Sequence, residues 1–561
     1  MLYDELKRAW GELTAPGAPF EIATIEVRGA PCRVYKNAPP NVRALWLSTA
    51  AYGARDYMVY QDERITYAEA HARVNAIAAW LAAQGVASGD RVAIAMRNYP
   101  EWMLIYWACV SMGVAAVGMN AWWIAEEMAY ALKDSAPKVL FCDAERLARV
   151  GDADGIRLVA VRGEAGPGVT PWSEVTGFDG AMPAAEIDPD ADACIFYTSG
   201  TTGAPKGARL THRGCIANLF SMMFSAQAQA LALSRETGVP LDPTAPPPIP
   251  VGLLTTPMFH VTACNCGAYA LTAAGGKMVL MYRWDAGEAL RLIEKEKVSA
   301  VSGVPVMARE IIHHPDFASR DLSSLMSVAG GGAQVPPDLV GKIDEAVATA
   351  RPGTGYGLTE TCGIITSVGA DFFVAKPDSA GPVMPDFEFK CVDDEGRTVA
   401  AGGIGELWVR GAQVIKGYLN RPEATAEAIT DGWFHTGDIA RIDEDGFLFI
   451  VDRKKDMILR GGENIYCAEV EAAAYRHPAV AECSAFGVPD PRLGEEVALA
   501  VFPQTGEGLT AEAMRVHLAA VMARHKVPRY IWLLDEPLPR NASGKFLRRE
   551  LKDRLSVAEA A

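Results

Sequence analysis

Short apolar runs recur along this chain with helix-patterned segments between them, and this alternation restricts the fold more than any other feature. Arg91 to Met96 (RVAIAM), Val114 to Val117 and Lys138 to Cys142 (KVLFC) read as buried strands. Thr66 and Glu69 have the spacing of a capping box, Ala70, Val74, Ile77 and Leu81 then recur on one helical face as far as Gly85, and Pro100 opens the next helix. Such a β-α-β rhythm belongs to a doubly wound parallel sheet, which binds ligands at the carboxyl ends of its strands. The rhythm returns with Val251 to Thr255, Lys277 to Met281, Val298 to Val301 and Leu325 to Ala329, which predicts a second sheet packed on the first.

Trp102 to Ala125 carries no charge and is long enough to span a bilayer. Gly113, Gly118 and Asn120 punctuate it, and no basic flank accompanies it, so the expectation is a buried helix followed by a strand, with no transmembrane segment. Leu210 to Met223 reads as a helix. Pro243 and the run Pro246 to Pro248 forbid a continuing helix, and 226–250 is expected to be a surface excursion.

From Gly381 onward the texture becomes antiparallel, with turns at Asp393 to Gly396 and Asp443 to Gly446 and a strand at Gly405 to Arg410. Charges cluster at Asp452 to Asp456 (DRKKD), where a hinge is expected. A chain of 561 residues exceeds a single hydrophobic core. The division expected is a large α/β domain over 1–452 and a small α+β domain over 453–561.

The formal charge of -16 argues against nucleic acid, whose affinity rests on Lys and Arg neutralising phosphates. The 11 cysteines include no CxxC pair, and MLYDELKRAW is not a secretory signal, so a reducing cytoplasm is expected. Cys264 and Cys266 follow His260 at a spacing that invites a metal, yet no second ligand pair lies near and they read as core thiols.

Tyr197 to Gly207 reads YTSGTTGAPKG. Gly200, Gly203 and Gly207 alternate with the hydroxyls of Thr198, Ser199, Thr201 and Thr202, and Lys206 closes the run. Glycines let successive backbone N–H groups converge on an anion, and the cation supplies full charge, as a phosphate cradle requires. Gly, Ser, Thr and Pro also compose ordinary turns, so composition leaves both readings open. The run is not a Walker A loop, because Lys206 precedes Gly207 instead of following the last glycine.

Further stretches line up behind this one: Pro257 to Val261 (PMFHV), Gly355 to Thr361 (GYGLTET), Trp433 to Asp438 (WFHTGD), Asp452 to Tyr466 (DRKKDMILRGGENIY) and Pro539 to Arg548 (PRNASGKFLR). In this order and across nearly the whole chain they resemble the adenylate-forming superfamily, on its acyl-CoA synthetase branch. The resemblance implies two doubly wound sheets plus a distorted β-barrel in the large domain, and a mobile small domain. It also implies a reaction: a carboxylate attacks the α-phosphate of ATP to give acyl-AMP and pyrophosphate, and the thiol of coenzyme A then displaces AMP. An acyl-AMP ligase that loads a separate carrier is the alternative, less favoured because no carrier domain follows and no large insertion lies between Glu360 and Asp438.

The resemblance also assigns residues. Thr198, Ser199, Gly200, Thr201, Thr202, Gly203 and Lys206 would hold the β- and γ-phosphates, with Thr202 and Glu360 as contacts for Mg²⁺, a hard cation that favours carboxylate and phosphate oxygens. Gly331, Gly332 and Ala333 would let adenine lie near the backbone, Tyr356 would stack on it, and Gly357 and Thr359 would complete the contact. Asp438 would accept from the ribose hydroxyls with support from Arg453. Lys545 would bridge carboxylate and α-phosphate as a compact, mobile point charge. Lys455 would be the pivot that exchanges Lys545 for the Gly461 and Gly462 region when coenzyme A reacts. His260, Val261, Val304 and Ile364 would line the acyl pocket, with Gly330, Gly355 and Gly363 leaving room. Amino-acid-activating relatives usually place a carboxylate after the aromatic residue of PMFHV; here His260 stands there, so a fatty or aryl acid is expected. A homodimer is compatible with all of this.

Overall fold

The computed structural model describes residues 2–151, 153–198, 205–241, 248–461, 463–504, 508–541, 544–557 and 560. Its first sheet has seven strands in the spatial order Lys206–Thr211, Asp192–Thr198, Ala115–Gly118, Arg91–Ala95, Val139–Asp143, Arg157–Val161 and Val169–Pro171. All pair in parallel except Lys206–Thr211, which runs antiparallel along one edge. The phosphate-loop sequence therefore joins an inner strand to the edge strand.

The apolar run beginning at Trp102 belongs to this core. Pro100 starts the helix Pro100–Ser111, where its missing N–H costs nothing, and Trp102 to Val110 are all but fully buried. A helix that is apolar all round packs on every side, and this one lies between the sheet and the helix Tyr67–Ala83. That neighbour begins with the predicted capping box: Thr66 N–H donates to Glu69 Oε2 at 2.8 Å and Glu69 N–H to Thr66 Oγ1 at 3.2 Å. Its Ala70, Val74, Ile77 and Leu81 are fully buried.

The second sheet orders eight strands as Gly363–Gly369, Arg351–Leu358, Ser327–Gly331, Ala300–Gly303, Val251–Leu254, Lys277–Leu280, Asp56–Tyr60 and Glu63–Thr66. Its centre is parallel and each edge closes with an antiparallel pair. The expected second doubly wound sheet is present: Val251–Leu254 and Lys277–Leu280 begin where the apolar runs begin, and Ala300–Gly303 and Ser327–Gly331 lie two residues later than theirs. An antiparallel six-stranded sheet, from Gly381–Pro382 to Phe447–Arg453, occupies the place of the expected barrel.

One expectation needs correction. The helix read over 210–223 is His212–Thr237, so the first half of the expected excursion is helical. Its N-cap Thr211 accepts from Gly214 N–H at 3.0 Å, and Phe224, Ala228 and Ala232 carry the buried stripe onward to Gly238 in the left-handed conformation. Alanine is the best helix former, and the prolines act only beyond this glycine. Among the described residues this is the one helix long and apolar enough to cross a membrane, and half of its most apolar window is buried in the protein.

The last sheet joins Glu463–Ile465, Ile458–Arg460, Gly494–Pro503 and Val480–Asp490, with Tyr530–Leu533 added along Gly494–Pro503. It has a core of its own, in which Ile458, Val470, Leu499, Met514, Leu518 and Ile531 are buried together.

Candidate active site

The strand Asp192–Thr198 ends where its apolar sequence ends, and Thr198 pairs with Lys206 across the hairpin. Ser199, Gly200, Thr201, Thr202 and Gly203 lie outside the described residues. Beyond the hairpin, Lys206 Nζ stands 5.2 Å from the centroid of the Tyr418 ring, and the Tyr418 hydroxyl donates to Glu360 Oε1 at 2.8 Å. Burial raises the Tyr418 pKa first, and the adjacent Glu360 carboxylate adds to it, so the phenol stays protonated and keeps donating. Tyr418 itself is fixed by the Ala208 bridge and by Leu419 N–H donating to Gly207 O at 2.8 Å. Thus one tyrosine links the loop's cation to the carboxylate expected to meet Mg²⁺. Among the described residues no cluster of three His, Cys, Asp or Glu side chains stands ready for a metal, so phosphate oxygens would have to complete a coordination shell begun by Glu360.

The two residues expected at the ribose are paired. Asp438 and Arg453 face each other across neighbouring antiparallel strands, and Arg453 Nε lies 2.7 Å from Asp438 Oδ1. The Tyr356 hydroxyl donates to Asp438 Oδ2 at 2.5 Å. Asp438 is 2% exposed, and burial raises its pKa while Arg453 and the tyrosine oppose the rise. Sequence reasoning gave Tyr356 only a stacking face. Its hydroxyl also locks the acid.

Lys545 reaches this same cleft from the far end of the chain. A Cβ built on Gly332 would lie 3.7 Å from Lys545 Cε, and one on Gly544 would lie 2.7 Å from Val304 Cγ2. Gly332 has φ +76°, a left-handed turn that presents its bare backbone to the lysine, and a Cβ on Gly331 would have no neighbour within 4 Å. Ala333 is exposed beside them. Lys545 is exposed to solvent, yet enough protein surrounds its ammonium to desolvate it. Desolvation chiefly, then Arg453, lowers its pKa, and Asp438 and Glu360 offset part of the fall. Lys455 is likewise lowered by desolvation and by Arg453. Gly461 adopts φ +61° and donates its N–H to Leu493 O, and Gly462 lies outside the described residues.

His260 lies within electrostatic reach of Lys545. Its Nε2 is buried without a hydrogen-bond partner, and burial, reinforced by the Lys545 charge, pushes its pKa down to about 4, so the ring is neutral. Val261 is buried next to it, and the following turn, Thr262–Ala268, is a π-helix, a form that recurs at functional sites. Ile364 donates its N–H to Asn218 Oδ1 at 2.8 Å, and Asn218 Nδ2 donates to Asn265 O at 3.1 Å. The room expected beside three glycines is taken. A Cβ on Gly330 would meet Val335 at 2.5 Å, one on Gly355 would meet Thr366 O at 3.2 Å, and one on Gly363 would meet Asn218 at 2.1 Å. These glycines admit close packing of neighbours, so they shape the wall without widening it. Gly357 lies equally tight against Gly363 O, and Thr359 begins the single turn that carries Glu360.

One charged group went unread in the sequence. Arg97 stacks 3.7 Å above the Trp122 ring, with Nε and Nη1 buried and without hydrogen-bond partners. It borders a small cleft of about 70 Å³, lined also by Asn98, Phe259, Tyr282, Trp284 and Met307. Phe259 separates this cleft from His260, their rings 4.7 Å apart. The only signal in the sequence was an arginine at the carboxyl end of a strand, which is where ligands of such sheets bind.

Comparison with known proteins agrees with this geometry. The AMP-binding enzyme family model matches residues 45–419, and the AMP-binding enzyme C-terminal domain model matches 469–545. The feruloyl-CoA synthase of Amycolatopsis sp is 37% identical over 87% of this chain and 94% of its own length. The long-chain-fatty-acid–CoA ligase FadD13 of Mycobacterium tuberculosis is 34% identical over 88% of this chain and 94% of its own. The crystal structure of the anthranilate CoA ligase AuaEII in complex with anthranoyl-AMP superposes with a TM-score of 0.82 at 25% identity, covering 91% of this chain and 96% of that one. The chain belongs to the AMP-binding enzyme family and is an AMP-forming acid–thiol ligase, which uses ATP to turn a carboxylic acid into an acyl-adenylate and then passes the acyl group to coenzyme A.

Proposed function

We propose that Lys545 drives the first half-reaction, and that the acid is a compact aryl acid. The observation that carries the first part is the position of Lys545 beside the Gly332 backbone, within the electrostatic reach of Asp438 and Glu360. As the carboxylate oxygen attacks the α-phosphorus and pyrophosphate departs, negative charge accumulates between two anions. A preorganised ammonium there stabilises the transition state by about 3 kcal/mol. Lys206 and the hydroxyls and glycines of residues 198–203 orient the leaving pyrophosphate. Tyr418 holds Glu360 for Mg²⁺, which when bound would neutralise phosphate charge; Thr202 is the other proposed contact. Asp438, fixed by Tyr356 and Arg453, accepts from the ribose.

The 453–561 unit then turns about Lys455, withdrawing Lys545 and bringing the segment around Gly461 and Gly462 forward. The thiol attacks the acyl carbonyl carbon and AMP leaves. Arg97 supports a place for coenzyme A in this step: a guanidinium stacked on an indole, with Nε and Nη1 still without partners, suits a phosphate attached to an adenosine. Neutral His260, next to Phe259, divides that cleft from the acyl pocket.

Support for an aryl acid comes from the close packing of Asn218 against Gly363 and Ile364, which leaves little space on that side, and from the likeness to feruloyl-CoA synthases. AMP release across a panel of cinnamic, benzoic and fatty acids, with and without coenzyme A, tests the reading. Hydroxycinnamic or benzoic acids should give the highest kcat/KM, and a preference for long fatty acids would contradict it. None of the 11 cysteines is in a disulfide, which supports a reducing cytoplasm as the site of action. A homodimer belongs to the same proposal, and sedimentation of the purified chain measures it.

A further inference from the structure

Lys545 sits on a loop whose conformation depends on a pair of side chains that the reaction itself does not use. Arg540 and Phe546 form a bridge pair that closes the loop, and Asn541 N–H donates to Lys545 O at 2.9 Å while Lys545 N–H donates to Asn541 Oδ1 at 3.0 Å. At its base the Arg540 guanidinium has three contacts. Nη1 donates to Gly544 O at 3.0 Å, one residue from the lysine; Nη2 donates to Glu482 Oε1 at 2.6 Å; and the Phe546 ring lies 4.3 Å from its central carbon. Glu482 is buried on the strand Val480–Asp490, and its other oxygen accepts from Leu538 N–H at 2.8 Å. A planar fork that bridges a carboxylate and a carbonyl fixes direction as well as distance, which a lysine in its place could not do.

We propose that Arg540 and Glu482 are positioning residues that transmit the rigidity of the small domain's sheet to the Lys545 loop, and so hold the ammonium at the α-phosphate. This rests on the reading of Lys545 as the cation of the first half-reaction. Neither residue touches substrate. Their effect is therefore confined to the step that uses Lys545, and thiolysis of a finished adenylate does not need it.

The test compares Arg540→Ala, Glu482→Ala, the double variant and Lys545→Ala in the full-length enzyme, in two assays: pyrophosphate release from ATP and acid, and thioester formation from supplied acyl-AMP and coenzyme A. Because a displacement of about 1 Å in a catalytic group can cost about a hundredfold, Arg540→Ala should lower the kcat of pyrophosphate release by about ten- to a hundredfold, leave the KM for ATP near its original value, and spare thiolysis. Glu482→Ala should match it, and the double variant should be no worse than either single one, as residues acting through one contact are non-additive. Equal loss of both half-reactions, strictly multiplicative effects, or full pyrophosphate release in Arg540→Ala would overturn the proposal. If instead Lys545→Ala kept wild-type pyrophosphate release, the Lys545 reading would fail and take this inference with it.

Discussion

The Tyr356 hydroxyl donates to the buried Asp438 carboxylate at 2.5 Å while Arg453 pairs with the other oxygen at 2.7 Å, so both acceptor oxygens are oriented before any nucleotide arrives. A hydrogen bond to a charged group contributes about 1.5–3 kcal/mol. Tyr356→Phe should therefore raise the KM for ATP by about tenfold or more with a smaller change in kcat, and it should leave the KM for coenzyme A alone. An unchanged KM for ATP would mean that Arg453 orients Asp438 by itself.

Tyr418→Phe removes the donor that fixes Glu360. Pyrophosphate release should fall by about tenfold, in line with the loss of one charge-assisted hydrogen bond, and added Mg²⁺ should recover part of it. A deficit that ignores Mg²⁺ concentration would assign Tyr418 to Lys206 instead.

Arg97→Ala removes the guanidinium stacked over Trp122. The KM for coenzyme A should rise by about tenfold or more, while pyrophosphate release in the absence of coenzyme A stays the same. A loss in the first half-reaction would place the Arg97 cleft on the ATP or acid side.

A pH effect on stability should come from Asp386, which is fully buried and whose pKa burial pushes up to about 6. A carboxyl raised in the folded state favours folding in its protonated form, so its contribution is full below about pH 4 and is lost as pH rises through about 6. The difference from an ordinary aspartate corresponds to roughly 3 kcal/mol. Asp386 accepts from Gln413 Nε2 at 2.8 Å and from Ser221 Oγ at 2.9 Å, and Gln413 Oε1 is buried without a partner. In Asp386→Asn, a flipped Gln413 amide could take the new N–H. This variant should be more stable than the parent at pH 8 and should lack the parent's decline between pH 4 and 7. Identical pH profiles for the two would contradict the assignment.

The sequence made the sheets legible because parallel strands buried on both faces read as unbroken apolar runs, and the helix from Tyr67 because its cap and stripe agree. It hid the extent of His212–Thr237, since the alanines that continue that helix adjoin prolines that act only after Gly238. Motif order grouped Glu360, Asp438, Arg453 and Lys545, and the fold brings these four charges within electrostatic reach of one another. Residues that hold them were not legible. Tyr418 reaches Glu360, and Glu482 reaches Arg540, each across 58 positions of chain, and no local spacing encodes such contacts. Gly330, Gly355 and Gly363 misled for a related reason, because a glycine leaves space that only the fold assigns, to a ligand or to a neighbouring side chain.

The central claim is that one lysine, delivered by the small domain, serves adenylation and not thiolysis. Lys545→Ala tests it most directly, with pyrophosphate release and thioester formation from supplied acyl-AMP measured on the same preparation. Release should fall by at least about a hundredfold while thioester formation proceeds at the parent rate. Equal loss of both in a protein that still melts at the parent temperature would contradict the account.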